Sequence, residues 1–228
     1  MGSGSVGDHR FAGYQRRLIE EIRSRGIDDL EILQLFDLVP RHLFLPEGVR
    51  NRAYEDSPIP IGHHQTASQP SLQALYLSIL KPRETEKVLE IGTGSGFLTA
   101  LLAKLADRVY SVERIRELSS RARKALDELA ILNVALMVGD GTIGWRKYAP
   151  YDVIVVSAAS PSIPKAYLDQ LADEGRMLIP VGTKEEQELM LVQKVGFAIT
   201  QEPVKTGCTF VPLLGRFAWA DEAPGGGE

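Results

Sequence analysis

Apolar positions along the chain change their period twice. Between residues 8 and 45 they recur at helical spacing. Leu18, Ile19 and Ile22 share one face, and Gly26 follows as a stop. Asp28 opens a second predicted helix, with Glu31 three residues later as in a capping box. Ile32, Leu35, Phe36 and Val39 form its apolar side, and Pro40 ends it. From Pro46 to Pro70 the periodicity disappears. This stretch is rich in Pro, Gly, Ser, His and Asn, and a loop of such length is often functional. Ser68 or Gln69 is expected to cap the next helix, with Pro70 at its first position. Leu72, Leu75, Tyr76, Ile79 and Leu80 would give that helix its apolar face.

Beyond residue 83 short apolar runs alternate with helical segments. Strands are expected at Lys87–Ile91, Arg108–Glu113, Val134–Val138, Tyr151–Ser157, Arg176–Val181 and Glu188–Lys194. Helices are expected at Phe97–Leu105, Ile115–Leu129 and Pro164–Leu171. Continuous apolar strands alternating with helices imply a doubly wound, mostly parallel sheet covered on both faces. Ligands of such sheets bind beyond the carboxyl ends of the strands, so chemistry is sought there.

The first of these strands runs into Glu90-Ile-Gly-Thr-Gly-Ser-Gly96, just before a helix. Glycine permits a sharp turn and lets a ligand approach the main chain. The helix amino end adds unpaired N–H groups and a positive dipole end. A dinucleotide loop, G-x-G-x-x-G, would need glycine at position 97 or 99, where Phe97 and Thr99 stand. The E-x-G-x-G-x-G form instead resembles the loop of S-adenosylmethionine-dependent methyltransferases. A carboxylate at the next strand end, Glu113, can accept from both ribose hydroxyls. Asp140, in Gly139-Asp-Gly141 after the third strand, can accept from an adenine amino group.

Composition narrows the partners. Lys and Arg number 26 against 30 Asp and Glu, a net charge of −4. That balance argues against a broad nucleic-acid footprint. One cysteine, Cys208, rules out an intrachain disulfide and suggests a reducing, cytoplasmic compartment. No apolar run approaches the ~18–20 residues of a membrane span, so no membrane partner is expected. The segments 1–7 and 221–228 read as flexible tails.

The acceptor is suggested by the loop before the glycine motif. Ile59-Pro-Ile-Gly-His-His-Gln-Thr-Ala-Ser-Gln-Pro70 resembles the signature of protein-L-isoaspartate (D-aspartate) O-methyltransferases, whose usual form is close to P-L-P-I-G-x-G-Q-T-I-S-Q-P. Val39-Pro-Arg-His-Leu-Phe44, Val88–Gly96, Val109–Arg114, Gly139–Gly141 and Phe210-Val-Pro-Leu213 match further family segments in order. His64 stands where the family usually has glycine, and Ala67 where it has Ile.

The resemblance implies a Rossmann-like class I methyltransferase fold, read here as a single catalytic domain over 1–228. Residues of about 8–83 would form a helical and substrate-loop cover, and about 84–216 the S-adenosylmethionine-binding α/β core. It implies methyl transfer to the α-carboxylate of L-isoaspartyl, and also D-aspartyl, residues of damaged proteins, with repair through a succinimide. Ser68 would orient the carboxylate, with Thr66, Ala67 and Val211 lining the acceptor site. Glu90, Gly92, Thr93, Gly94, Gly96, Glu113, Asp140 and Gly141 would hold the cofactor. A carboxylate is already ionised at neutral pH, so no strong base is required. No G-x-S-x-G elbow surrounds Ser68, which excludes a covalent role. A metal site is not expected at His63 and His64, and a monomer is. Cys208 reads as a packed small residue, Trp145 as a loop anchor or a cofactor neighbour, and Arg121, Arg123 and Lys124 as a solvated face. Two other readings stay open: a carboxyl methyltransferase for one modified peptide, and a non-catalytic S-adenosylmethionine-binding protein.

Overall fold

The computed structural model describes residues 10–220; both proposed tails lie outside the described residues. The chain divides into two units, Met1–Ile79 and Leu80–Glu228.

The first unit opens with α1 (Ala12–Ser24) and α2 (Leu30–Leu38), and buries Leu18, Ile22, Ile32, Leu35 and Phe36. Gln15 Nε2 ties the pair together by donating to Phe36 O at 2.8 Å and Asp37 O at 2.7 Å. The expected cap shifts by one residue. Asp29, not Asp28, caps α2, its Oδ1 accepting from Glu31 N at 3.0 Å and Ile32 N at 3.4 Å. Its extended backbone aims the carboxylate back at those N–H groups. Phe11 stacks on His42, with ring centroids 4.5 Å apart, and His42 Nδ1 bonds to Tyr54 OH at 2.8 Å.

The stretch expected to be a loop is more ordered than its composition suggests. It contains a 3-10 helix at Glu47–Arg52 and a hairpin of β1 (Ile59–Gly62) and β2 (Gln65–Ala67). Ile59 and Ala67 pair and are buried, while Thr66, paired with Pro60, faces outward. Helix α3 (Pro70–Leu80) begins with proline as expected. Its deepest positions include Ala74, Tyr76, Leu77 and Leu80, whereas Leu72, Leu75 and Ile79 are only half-buried. The apolar face is therefore rotated from the one the sequence suggested.

The second unit carries a seven-stranded sheet in the order β5-β4-β3-β6-β7-β8-β9. Its elements are β3 (Lys87–Ile91), α4 (Phe97–Leu105), β4 (Arg108–Glu113), α5 (Arg116–Glu128), β5 (Val134–Val138), β6 (Tyr151–Val156), α6 (Lys165–Gln170), β7 (Leu171–Gly182), β8 (Gln187–Val195) and β9 (Ala198–Cys208). Pairing is parallel from β5 to β7, and antiparallel from β7 through β9. Val88, Leu89, Val153, Ile154, Val155 and Val156 show no exposed surface. Each side chain of this kind contributes roughly 1.5–3 kcal/mol by burial, which explains why the central strands carry no alternation. Strand β7 begins earlier than expected, and β9 was not expected at all. Most of β9 is exposed, and it contains Pro203 and Gly207, so it lacks the apolar signal of an inner strand.

Candidate active site

The parallel order reverses at β3, which lies between β4 and β6. The glycine loop leaves the sheet at this switch point. Gly92 N donates to Val112 O of β4 at 2.9 Å, and Ser157 N, just past β6, donates to Ile91 O at 2.9 Å. The loop is thus tied to both neighbouring strands. Gly92, Gly94 and Gly96 have φ values of 93°, 54° and 88°, a left-handed run that glycine adopts without a Cβ penalty. Gly96 is also the N-cap of α4, so the loop delivers the chain to a helix amino end.

Beneath the loop lies a hydroxyl–carboxyl chain that sequence reading did not anticipate. Glu90 is fully buried. Its Oε2 accepts from Thr99 Oγ1 and from Ser111 Oγ, each at 2.6 Å. Thr93 Oγ1 lies 2.5 Å from Ser111 Oγ. Ser111 spends its single proton on Glu90, so Thr93 donates to Ser111. Burial pushes the Glu90 carboxyl up to about 7, with Glu113 adding to the rise and the Ser111 and Thr99 hydroxyls opposing it. Glu90 and Thr93 therefore brace the loop from inside, while Gly92 and Gly94 are partly exposed.

Glu113 ends β4 and reaches across to the same loop. Its Oε2 accepts from Gly94 N at 2.9 Å, and its Oε1 accepts from Ile115 N at 3.0 Å. One accepting position remains on each oxygen, enough for a pair of vicinal hydroxyls. Asp140 follows β5. Its Oδ1 accepts from Thr142 N at 2.8 Å and Thr142 Oγ1 at 2.6 Å, and its Oδ2 accepts from Arg216 N at 2.9 Å. Burial alone would raise this carboxyl, but the Arg216 and Thr142 donors and the Arg114 charge hold it below the usual aspartate range. One accepting position on Oδ2 is left for an amino group. Gly141 is buried against β3, where a Cβ would meet Ile91 Cγ2 at 2.7 Å. The residues present therefore fit S-adenosylmethionine: a left-handed glycine cradle, two ionisable acceptors at successive strand ends, and a helix amino end.

The acceptor-loop candidates belong to the first unit. His63 and His64 form the hairpin turn with φ values of 54° and 56°, the conformation that a two-residue type I′ turn requires. His64 thus takes the left-handed conformation that glycine would hold without strain. Ala67 is buried, and Ser68 follows it, half-buried. The Ser68 hydroxyl does not cap α3, and it makes no hydrogen bond among the described residues. The capping role falls to Asp56, whose Oδ1 accepts from Ser71 N at 2.8 Å. Sequence reading missed this because the cap lies 15 residues upstream.

Other side chains resolve into structural roles. The Trp145 ring packs edge-on against Tyr110, centroids 5.7 Å apart, and the Trp145 backbone N–H donates to Gln170 Oε1 at 2.8 Å, as a loop anchor would. Arg121 and Lys124 are exposed, but Arg123 is not part of a solvated face. It donates to Val134 O and Ile131 O, both at 3.1 Å, and holds α5 to the start of β5. Cys208 is buried at the end of β9, and burial raises its thiol. Val211 lies in the second unit, half-buried, its carbonyl accepting from Ala159 N at 2.8 Å.

Comparison with known proteins agrees with this geometry. The family model described as protein-L-isoaspartate (D-aspartate) O-methyltransferase matches residues 14–218. Protein-L-isoaspartate O-methyltransferase 2 of Geotalea uraniireducens is 49% identical over 209 residues, covering 91% of this chain and 96% of that protein. A solved protein-L-isoaspartate O-methyltransferase superposes with a TM-score of 0.81 at 29% identity, over 90% of this chain and 67% of that one. A Plasmodium falciparum structure described as such an enzyme in complex with S-adenosyl-L-homocysteine gives a TM-score of 0.76 at 25% identity, over 88% of this chain and 98% of that one. With its Rossmann-like sheet, glycine cradle and strand-end acids, the chain belongs to the protein-L-isoaspartate (D-aspartate) O-methyltransferase family.

Proposed function

We propose that this chain transfers a methyl group from S-adenosylmethionine to the α-carboxylate of L-isoaspartyl residues in damaged proteins, and so starts their repair. The observation that carries this reading is the Ser68 hydroxyl. It lies within the family signature loop and has no hydrogen-bond partner among the described residues. When bound, the cofactor supplies an electrophilic sulfonium methyl. The chain's own work is placement and desolvation, because the accepting carboxylate is already ionised.

Ser68 donates its hydroxyl to one carboxylate oxygen and fixes its direction, and Thr66 offers a second hydroxyl. Ala67 shapes the loop beside Ser68, and Val211 is taken as a further acceptor-binding residue. A donor too strong for the ground-state anion would slow attack, so neutral hydroxyls suit the task better than a cation. Glu113 accepts the ribose hydroxyls, and Asp140 accepts the adenine amino group. Gly92, Gly94, Gly96 and Gly141 let the ligand reach the main chain, while Glu90 and Thr93 hold the loop in shape. Residues of about 8–83 carry the acceptor loop, and about 84–216 the cofactor core, of one catalytic domain.

The ester product is attacked by the following backbone nitrogen, which expels methanol and closes a succinimide. Water then opens the ring in part to normal aspartate. The single cysteine fits a reducing, cytoplasmic setting, and no helix among the described residues is long and apolar enough to cross a membrane. We take the working form to be a monomer.

Product analysis tests the reading. An isoaspartyl peptide incubated with methyl-labelled S-adenosylmethionine should release its label as volatile methanol on standing, with the aspartyl isomer growing in. Label that stays on the peptide would point to a different accepting group.

A further inference from the structure

The segment that presents Ser68 is clamped on both sides. Upstream, Ala67 pairs with Ile59 across the β1–β2 hairpin and is buried. Downstream, Arg41 reaches in from the 3-10 helix at Arg41–Phe44. Arg41 is 1% exposed. Nη2 donates to Ser68 O at 3.1 Å, and Nη1 donates to Ala53 O at 2.6 Å. Burial lowers the Arg41 pKa to about 10, opposed by Asp56, Tyr54 and Glu55, so it stays cationic at neutral pH. Three residues past Ser68, Asp56 Oδ1 takes the Ser71 N–H at 2.8 Å. Asp56 Oδ2 lies 2.8 Å from Arg25 Nε at the end of α1, and its side chain is 1% exposed. A buried guanidinium and a buried carboxyl group thus act on the main chain either side of Gln69 and Pro70, and leave the Ser68 hydroxyl free.

Placing a buried arginine on two carbonyls is costly, and it is recovered only where the geometry is fixed. Its planar fork spans two acceptors at once, which a lysine ammonium on a flexible stem does not reproduce. We propose that Arg41 and Asp56 are positioning residues for methyl transfer, which set the orientation of the Ser68 hydroxyl through the backbone without touching substrate. The proposal rests on the acceptor role given to Ser68 above.

The test is a double-mutant cycle on turnover of an isoaspartyl peptide, with melting temperature followed alongside. Arg41→Lys should lower kcat by about ten- to a hundredfold, up to the cost of a misplacement of about 1 Å, and leave KM for S-adenosylmethionine unchanged. In a Ser68→Ala background the same change should lower kcat no further, because the group it orients is gone. Asp56→Ala should behave like Arg41→Lys, and Asp56→Asn, which keeps an acceptor for Ser71 N, should recover most of the loss. If Arg41→Lys does not fold, the Asp56 pair carries the same cycle. An equal fall in both backgrounds would show a general structural role and overturn the proposal. A Ser68→Ala enzyme with normal turnover would instead overturn the assignment of Ser68 itself.

Discussion

At the scale of single residues, the site candidates divide into groups proposed to face a ligand and groups that hold those in place. Ser68 is proposed as the first kind. Its replacement by alanine should remove most turnover and leave the S-adenosylhomocysteine dissociation constant unchanged; wild-type turnover would refute the role. Glu113 belongs to both kinds, since it already binds Gly94 N and Ile115 N. Alanine at this position would disturb the loop as well as any ribose contact, so glutamine is the better probe. Glu113→Gln keeps one acceptor for Gly94 N, and should weaken S-adenosylhomocysteine by at least about tenfold, the size of one charge-assisted hydrogen bond. An unchanged constant would argue against the ribose contact. Glu90 is of the second kind, and its burial has a pH signature. The folded chain holds its proton up to about 7. The stability contributed by the protonated form is complete below the unfolded value of ~4.3, and is lost as pH rises through the folded one. Glu90→Gln has nothing to lose in that window. The variant should therefore gain on the wild type by on the order of a few kcal/mol between pH ~5 and ~8 in urea unfolding. A difference that stays flat would contradict this.

At the scale of elements, the sequence reading was most legible where an apolar run stands between glycine or polar breaks. Strands β3, β4 and β5 and helix α4 fall on the expected residues, because such a run admits few alternatives, even for β5 at the half-buried edge of the sheet. It was least legible where long-range bonds decide. Strand β9 depends on pairing with β8 and carries almost no apolar surface of its own. The α3 cap depends on Asp56, which no local window contains. The β1–β2 hairpin turns on two histidines rather than on Asn-Gly, so its turn signal was hidden. At the site the strand-end positions of the three candidate cofactor signals were readable, whereas the Glu90–Ser111–Thr93 chain was not, since it joins elements about 20 residues apart. The α2 cap offers a sharp check. Asp29→Ala should cost about 1 kcal/mol in urea unfolding, and Asp28→Ala close to none. Equal costs would mean that the cap is not the one described.

At the scale of the whole molecule, the family match runs over residues 14–218 and spans both units, with the proposed acceptor loop in the first and the proposed cofactor cradle in the second. The net charge of −4 agrees with a substrate that offers one local carboxylate, for which a few hydroxyl and N–H donors suffice. A ligand that binds only the folded form raises the melting temperature by mass action. S-adenosylhomocysteine at a hundredfold excess over its dissociation constant should add about 2.7 kcal/mol, or roughly 5–10 °C at this size. NAD should add nothing, because Phe97 and Thr99 break the dinucleotide pattern. The central claim concerns the acceptor, and two peptides of identical sequence, one with an isoaspartyl and one with an aspartyl linkage, isolate it. With methyl-labelled S-adenosylmethionine the isoaspartyl peptide should be labelled and its twin should not. Equal labelling of the two, or labelling of neither by a protein that binds the cofactor, would contradict the account.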